Sequence, residues 1–271
     1  MGEHWALVTG ASSGIGFELA RCFAADGHHL VVTADGEDEL RNAAAILADD
    51  GAASVQYVAR DLSHPDGALR LYQDVRDMGV KPDFLVNNAG VGVFGNFALE
   101  TDFQSEAAMI QLNIVSLVQL TKLYARDMVR RDGGRILLTS SVAAVAPTPN
   151  LAVYCGTKAF IYAFAEAIAD ELKETGVTVT ALMPDATETR FFERAGMEET
   201  ALYQADKASP ADVAQAGYRA MMRGADHVIL YREQDFREQT MRITGGRGVD
   251  VVYDAVGKDT IHQSIHSLKK R

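Results

Sequence analysis

The run Trp5-Ala6-Leu7-Val8-Thr9-Gly10-Ala11-Ser12-Ser13-Gly14-Ile15-Gly16 decides the fold. Trp5–Val8 is a short apolar run, as expected of a strand covered on both faces. An amphipathic helical pattern begins at Phe17. Strand, glycine turn and helix together are the layout of a dinucleotide site. Gly10 allows the tight turn. Gly14 and Gly16, on either side of Ile15, let backbone approach a pyrophosphate and let helix pack on strand. The helix N-terminus then aims its free N–H groups at the phosphates. Ser12 and Ser13 add hydroxyl donors. Glycine-rich turns are common punctuation; this one gains its meaning from standing between a first strand and a first helix.

Further along, Tyr154 and Lys158 stand four apart where a helical run begins, with Ser141 upstream. Residues i and i+4 share a helix face. A free tyrosine titrates near ~10, too high for proton exchange at neutral pH. A cation about 4–5 Å away, at an effective dielectric of about 20, stabilises phenolate by ~3–4 kcal/mol. That reading brings Tyr154 near the working range of a general acid/base. A bare Tyr-x-x-x-Lys usually just sits on a solvated helix face; the glycine turn upstream argues against that here.

The glycine spacing is G-x-x-x-G-x-G. Asn87-Asn88-Ala89-Gly90 follows an apolar strand, Phe84–Val86, and Ser141, Tyr154 and Lys158 come later. With these motifs in this order, the chain resembles the short-chain dehydrogenase/reductase family over about residues 4–230. The resemblance implies an α/β fold: a Rossmann-type, doubly wound parallel sheet with helices on both faces. It implies a nicotinamide cofactor and hydride transfer at a carbonyl or secondary alcohol carbon. Tyr154 would be the acid/base. Lys158 would hold the nicotinamide ribose and lower the tyrosine pKa. Ser141, rather than Ser140, would orient the substrate oxygen. Asn113 would anchor a water in a proton relay. Asp61 would take the adenine amino group, with Leu62 contributing backbone; an Asp opening the turn Asp61–Pro65 is an equally physical reading. Asn88, Ala89 and Gly90 would line the cofactor at the carboxyl end of a central strand, and Thr187 and Thr189 would bind its carboxamide. Relatives carry Pro-Gly where this chain has Pro184-Asp185, which puts the geometry of that loop in doubt. The family commonly dimerises or tetramerises through its two long helices, so a homodimer or homotetramer is expected.

The cofactor is expected to be NAD, with NADP as the alternative. Asp35, Glu37 and Asp38 follow the second strand, and no basic side chain is expected near enough to pair a 2′-phosphate. Carboxylates there suit a free ribose diol.

The 271 residues are enough for one substantial core. A net charge of −11 argues against nucleic acid or an anionic membrane as partner. No apolar stretch reaches the about 18 residues of a membrane span, and no secretion signal is read at the start. Cys22 and Cys155 are the two cysteines, which fits a reducing, cytoplasmic setting. The histidines show no metal-ligand spacing. The expected partner is a small-molecule carbonyl or alcohol.

Strands are expected near Trp5–Val8, His29–Thr33, Ser54–Val58, Phe84–Val86, Arg135–Thr139 and Val177–Leu182, with another over His227–Tyr231. Long helices are expected over Ser105–Arg131 and Tyr154–Thr175. The second is apolar on more than one side, as expected of a helix that packs on the sheet and on a second subunit. Residues Arg190–Ser209 would cover the substrate. Phe191, Phe192, Leu202, Tyr203, Val93, Phe94, Val142 and Val145 would wall an apolar pocket. From about Gly224 the character changes. The last 48 or so residues, with Tyr231–Phe236 and Thr244–Gly257, resemble the cofactor domain of a medium-chain quinone oxidoreductase, without its phosphate-binding glycine loop or its catalytic domain. The division expected is 1–230 as the catalytic domain and 231–271 as an appended tail with helix 233–243, strand 249–253 and helix 257–269. An isomerase, epimerase or dehydratase with a resident cofactor, and a non-catalytic dinucleotide sensor, are the rival functions.

Overall fold

The computed structural model describes residues 4–204, 206–225 and 227–229. The elements expected over 233–269 and the end of the last expected strand lie outside them, as does the Leu202 side chain. Seven strands form one sheet: β1 (Trp5–Thr9), β2 (His29–Ala34), β3 (Ser54–Ala59), β4 (Phe84–Asn87), β5 (Gly134–Thr139), β6 (Val177–Met183) and β7 (His227–Ile229). Their order is β3-β2-β1-β4-β5-β6-β7. The pairs from β3 through β6 are parallel, with Leu7 beside Val31 on one side and Leu85 on the other.

The apolar runs explain which strands are central. Ala6, Leu7 and Val8 are all buried, as are Leu30, Val31 and Val32, so both faces of β1 and β2 are covered. On β3, at the edge, Tyr57 is exposed. Alternate residues Leu7, Val31, Leu85, Ile136 and Val179 share one face. They pack there with Leu71 and Val75 of α3 (Gly67–Asp77), Leu117, Leu120 and Tyr124 of α5 (Leu117–Val129), and Ile161 and Ala165 of α6 (Ala152–Leu172). Helix α1 (Gly14–Ala25) packs against α2 (Glu37–Asp49) and α9 (Pro210–Arg223). The rings of Phe23 and Tyr218 meet edge-on at 4.8 Å, joining α1 to α9. Helix α9 carries its own punctuation: Ser209 caps it, Pro210 opens it, and Gly224 closes it at φ +69.

The helix expected over Ser105–Arg131 is not one helix. It runs as α4 (Phe103–Ile110), a π-helical segment (Gln111–Ser116) and α5. Two short helices, α7 (Phe191–Arg194) and α8 (Ala201–Gln204), lie in the expected substrate-covering segment. None of the described helices is long and apolar enough to cross a membrane.

The topology itself locates the crevice. The chain winds outward from β1 to β3, then returns to the other side of β1 as β4. The loops beyond β1 and β4 therefore leave in opposite directions, opening a cleft at the carboxyl ends of these strands.

Candidate active site

Gly10 lies at φ +66, and a Cβ there would stand 2.9 Å from the Ala89 Cα. A Cβ on Gly16 would stand 2.2 Å from the Gly10 carbonyl oxygen and 2.4 Å from Asn88 Nδ2. Glycine at these positions is thus a packing requirement between the first turn and the β4 loop. Asn88 Nδ2 donates to the Thr9 and Gly10 carbonyls at 3.3 and 3.5 Å. Thr9, which the sequence reading did not single out, ties the two strand ends together. Its Oγ1 accepts from the Asn88 and Ala89 N–H groups, each at 3.0 Å, and donates to the Val86 carbonyl. Ser13 at the α1 N-cap makes no side-chain cap bond. The first-turn N–H groups therefore face the cleft available to an anion. Ser12 and Ile15 lie half-buried in the same turn. A cradle that any Cβ would fill, beside an uncapped helix start, fits a dinucleotide pyrophosphate.

The β4 loop leads from this cradle to the second cluster. A Cβ on Gly90 would stand 3.2 Å from Asn113 Oδ1 and 3.5 Å from Lys158 Nζ. Asn113 is fully buried in the π-helical segment. Its Nδ2 donates to the Val91 carbonyl at 2.9 Å and to Thr157 Oγ1 at 3.1 Å, while its Oδ1 accepts from Val91 N–H at 3.0 Å. The asparagine thus joins the β4 loop to α6. Single π turns of this kind are frequent at functional sites.

Tyr154 and Lys158 are both buried on α6, with Lys158 Nζ 5.7 Å from the Tyr154 ring centroid. The ammonium donates to the Thr139 carbonyl at 2.9 Å. Ser140 and Ser141 divide their work. Ser140 Oγ is buried and donates to the Lys158 carbonyl at 2.7 Å, holding α6 against β5. Ser141 is half-buried at the start of a 3-10 turn, accepting from Ala143 N–H at 3.1 Å and donating to the Pro184 carbonyl at 3.4 Å.

One electrostatic expectation is corrected. Tyr154 is not drawn toward neutrality: burial pushes its pKa above the ordinary phenol value, a hydrogen bond with Ser141 works in the opposite direction, and Cys155 adds to the rise. Lys158 is shifted as well, its pKa pushed down to about 8 by burial. Removal from water penalises the charged form of each group. The phenol is consequently protonated at neutral pH, ready to donate.

This makes Lys158 a destabilising group in the dinucleotide-free chain. Below about pH 8 the folded chain bears the full penalty of a buried ammonium. Between there and the ordinary lysine pKa of about 10.5 the folded state releases its proton while the unfolded state keeps it, so stability rises with pH. Lys158→Met is expected to stabilise the dinucleotide-free chain by about 1–3 kcal/mol at pH 7. Thermal midpoints should show that gain shrinking as pH is raised above about 8; a gain that grows with pH overturns the assignment.

The remaining expected residues fall into two groups. Thr187 is buried, its Oγ1 donating to the Asp185 carbonyl at 2.8 Å. Thr189 sets its methyl 2.9 Å from where a Gly14 Cβ would stand, so the loop after β6 meets the glycine turn. The concern over Asp185 is removed. The described non-glycine residues at positive φ are Asp132 and Asn150, so Asp185 needs no left-handed conformation. Its Oδ1 accepts from Ala186 N–H at 2.7 Å. Of the residues expected to meet the adenosine, Asp61 Oδ1 accepts from the Ser63 N–H and Oγ at 2.8 and 2.6 Å, the turn that its sequence also allowed. Leu62 is buried, and its carbonyl accepts from Ser116 Oγ at 2.5 Å. Asp35 is exposed just beyond β2. The expectation that no basic side chain stands near is overturned: Arg190 Nη1 donates to Glu39 Oε1 at 2.8 Å.

Most of the residues expected to wall an apolar pocket pack together in one hydrophobic cluster. Phe191, Phe192, Tyr203, Val93 and Phe94 cluster with Tyr154, Met109, Leu151 and Met197. The Phe191 ring lies 5.1 Å from that of Tyr154, and its edge would meet a Cβ on Gly92 at 2.6 Å. Val142 and Val145 are half-buried but stand outside this cluster.

Known proteins share this fold. The probable oxidoreductase EphD of Mycobacterium tuberculosis is 33% identical over 72% of this chain. The chain spans only about a third of that relative's length (33%). Dehydrogenase/reductase SDR family member 4 of Bos taurus is 31% identical, over 69% of this chain and 66% of its own. A solved short-chain dehydrogenase from Sphingobium yanoikuyae, in complex with NADPH, superposes with a TM-score of 0.78 at 26% identity, covering 93% of this chain and 99% of its own. The family model for zinc-binding dehydrogenases matches residues 212–271, bearing out the separate resemblance of the C-terminal segment. That match begins inside α9, earlier than the boundary expected at 231. The family model for short chain dehydrogenases matches residues 4–200, and the chain belongs to that family.

Proposed function

We propose that the chain is an NAD(P)-dependent oxidoreductase acting between a carbonyl and a secondary alcohol. The observation that carries this is the buried Tyr154 and Lys158 beside Ser141, one glycine loop away from a cradle that any Cβ would fill. The bound nicotinamide would supply hydride chemistry. Ser141 Oγ and Tyr154 OH would both direct hydrogen bonds at the substrate oxygen. Tyr154 would give its proton to that oxygen in reduction and accept it in oxidation. Lys158, whose ammonium has a backbone acceptor on one side, would hold the ribose and offset charge on the phenolate. Asn113 has both amide N–H groups engaged, so its part in a relay would be through the backbone carbonyl of its π turn. The cluster around Phe191 and Phe192 favours a fairly hydrophobic substrate. The test is oxidation of NADH or NADPH in a screen of ketones, and reduction of NAD or NADP in a screen of secondary alcohols. Turnover of substrate with no net change in dinucleotide would favour an isomerase instead.

NADH is expected to bind more tightly than NADPH. Asp35, Glu37 and Asp38 would repel a 2′-phosphate, and the Arg190 guanidinium is engaged by Glu39. Dissociation constants in one buffer decide this, and tighter NADPH binding sinks it.

Residues 1–230 are proposed as the catalytic unit, with 231–271 appended. A chain ending at 231 should still bind NADH and keep turnover within about tenfold, under ~1.4 kcal/mol of barrier. A truncated chain that melts cooperatively but no longer binds dinucleotide refutes this division. A homodimer or homotetramer through α4, α5 and α6 is also proposed. Val115, in the π-helical segment between α4 and α5, and Phe160 on α6 are exposed, and Phe160 stacks on Phe164 at 5.9 Å. Light scattering that returns a monomer mass removes it.

A further inference from the structure

The loop beyond β6 and the first turn of α2 are remote in sequence, yet Arg190 Nη1 donates to Glu39 Oε1 at 2.8 Å. Asp35 and Glu193 also act on the guanidinium and help hold its charge. Its neighbour Thr189 packs over Gly14. Thr189 and Arg190 thus lie across the cleft, the first over the phosphate turn and the second over the residues just beyond β2. In a sheet of this topology, those residues face the 2′ position of the adenosine ribose. A carboxylate there suits a free hydroxyl, and a guanidinium suits a phosphate. This chain brings both to one spot. Arg41, the other arginine of that region, is held by Glu37 and Asp38. The Arg190–Glu39 pair is exposed on both sides, which makes it a weak link that a doubly charged phosphate can displace.

We propose that Arg190 is the residue that sets cofactor specificity, with Glu39 as its switch. Paired with Glu39, it spans the cleft above a ribose bearing a free 2′-hydroxyl. Released from Glu39, it takes a 2′-phosphate. This rests on the dinucleotide-dependent reading above.

The test is a set of fluorescence titrations with NADH and with NADPH, on the full chain and on three variants. Glu39→Gln is expected to raise NADPH affinity relative to NADH at least ~10-fold. Arg190→Gln is expected to lower that ratio at least ~5-fold. In the double variant, the gain from Glu39→Gln should fall below about twofold, since the guanidinium that would donate to the phosphate is gone. An equal gain with Arg190 absent means that Glu39 acts by repulsion alone, and overturns the proposal. An unmoved ratio in both single variants overturns it too. If the unsubstituted chain binds neither dinucleotide, the functional reading itself fails and takes this inference with it.

Discussion

Tyr154→Phe is expected to lower turnover at least ~10²-fold, the usual worth of a positioned acid/base, while leaving dinucleotide binding within about threefold. The ring itself is retained, so its contacts with Phe191 at 5.1 Å and with Lys158 at 5.7 Å survive. What disappears is the hydroxyl, and with it the hydrogen bond involving Ser141. The variant should therefore fold normally. Its thermal midpoint should stay within a few degrees, because one buried phenol hydrogen bond contributes only about 1 kcal/mol net. The measurement is steady-state turnover beside a binding titration on the same preparation. Activity within about tenfold of the unsubstituted chain would remove Tyr154 from the chemistry. Equal losses of binding and turnover would make it a packing residue instead.

Gly16→Ala should strike the other end of the site. Its Cβ would lie 2.2 Å from the Gly10 carbonyl oxygen and 2.4 Å from Asn88 Nδ2, both closer than real Cβ contacts come. One of those neighbours is backbone, so the clash cannot be relieved by turning a side chain. Either α1 moves away from β1, or the glycine turn opens and the Asn88 bonds to Thr9 and Gly10 break. Overpacking of this kind typically costs about 1–3 kcal/mol. A cradle displaced by that much should lose about 10- to 100-fold in NADH affinity. Gly156→Ala is the matched control: it lies on α6, and nothing stands within 4 Å of its added Cβ. Unchanged NADH affinity in Gly16→Ala would mean that the cradle does not hold the pyrophosphate.

The strands were legible because period and composition report burial directly. Six of them lie within a residue or so of where they are expected, the central ones because a parallel strand covered on both faces has to be a continuous apolar run. The glycine turn was legible for a similar reason. Gly10 and Gly16 are where two backbones meet, and only a missing side chain allows it. Tyr154 and Lys158 could be paired from helix spacing alone, and Ser141 separated from Ser140 by position in the motif.

What escaped depends on contacts between segments far apart in the chain. The π turn at Asn113 exists beside the Val91 backbone, which the asparagine grips with both ends of its amide. The role of Thr9 becomes visible once β4 is laid next to β1. Arg190 reaches Glu39 across 151 positions, a contact that the local run of charge does not reveal. The direction of the Tyr154 shift could not be read from helix spacing either. Spacing brings the cation near, but the core packed around both groups decides how much water each loses. Periodicity and motif spacing thus determined the sheet, the glycine turn and the shared helix face of Tyr154 and Lys158, because those follow from local backbone geometry and burial. The balance of charge within the site was decided by the tertiary structure, because desolvation and long-range pairing are properties of the surroundings and not of the segment.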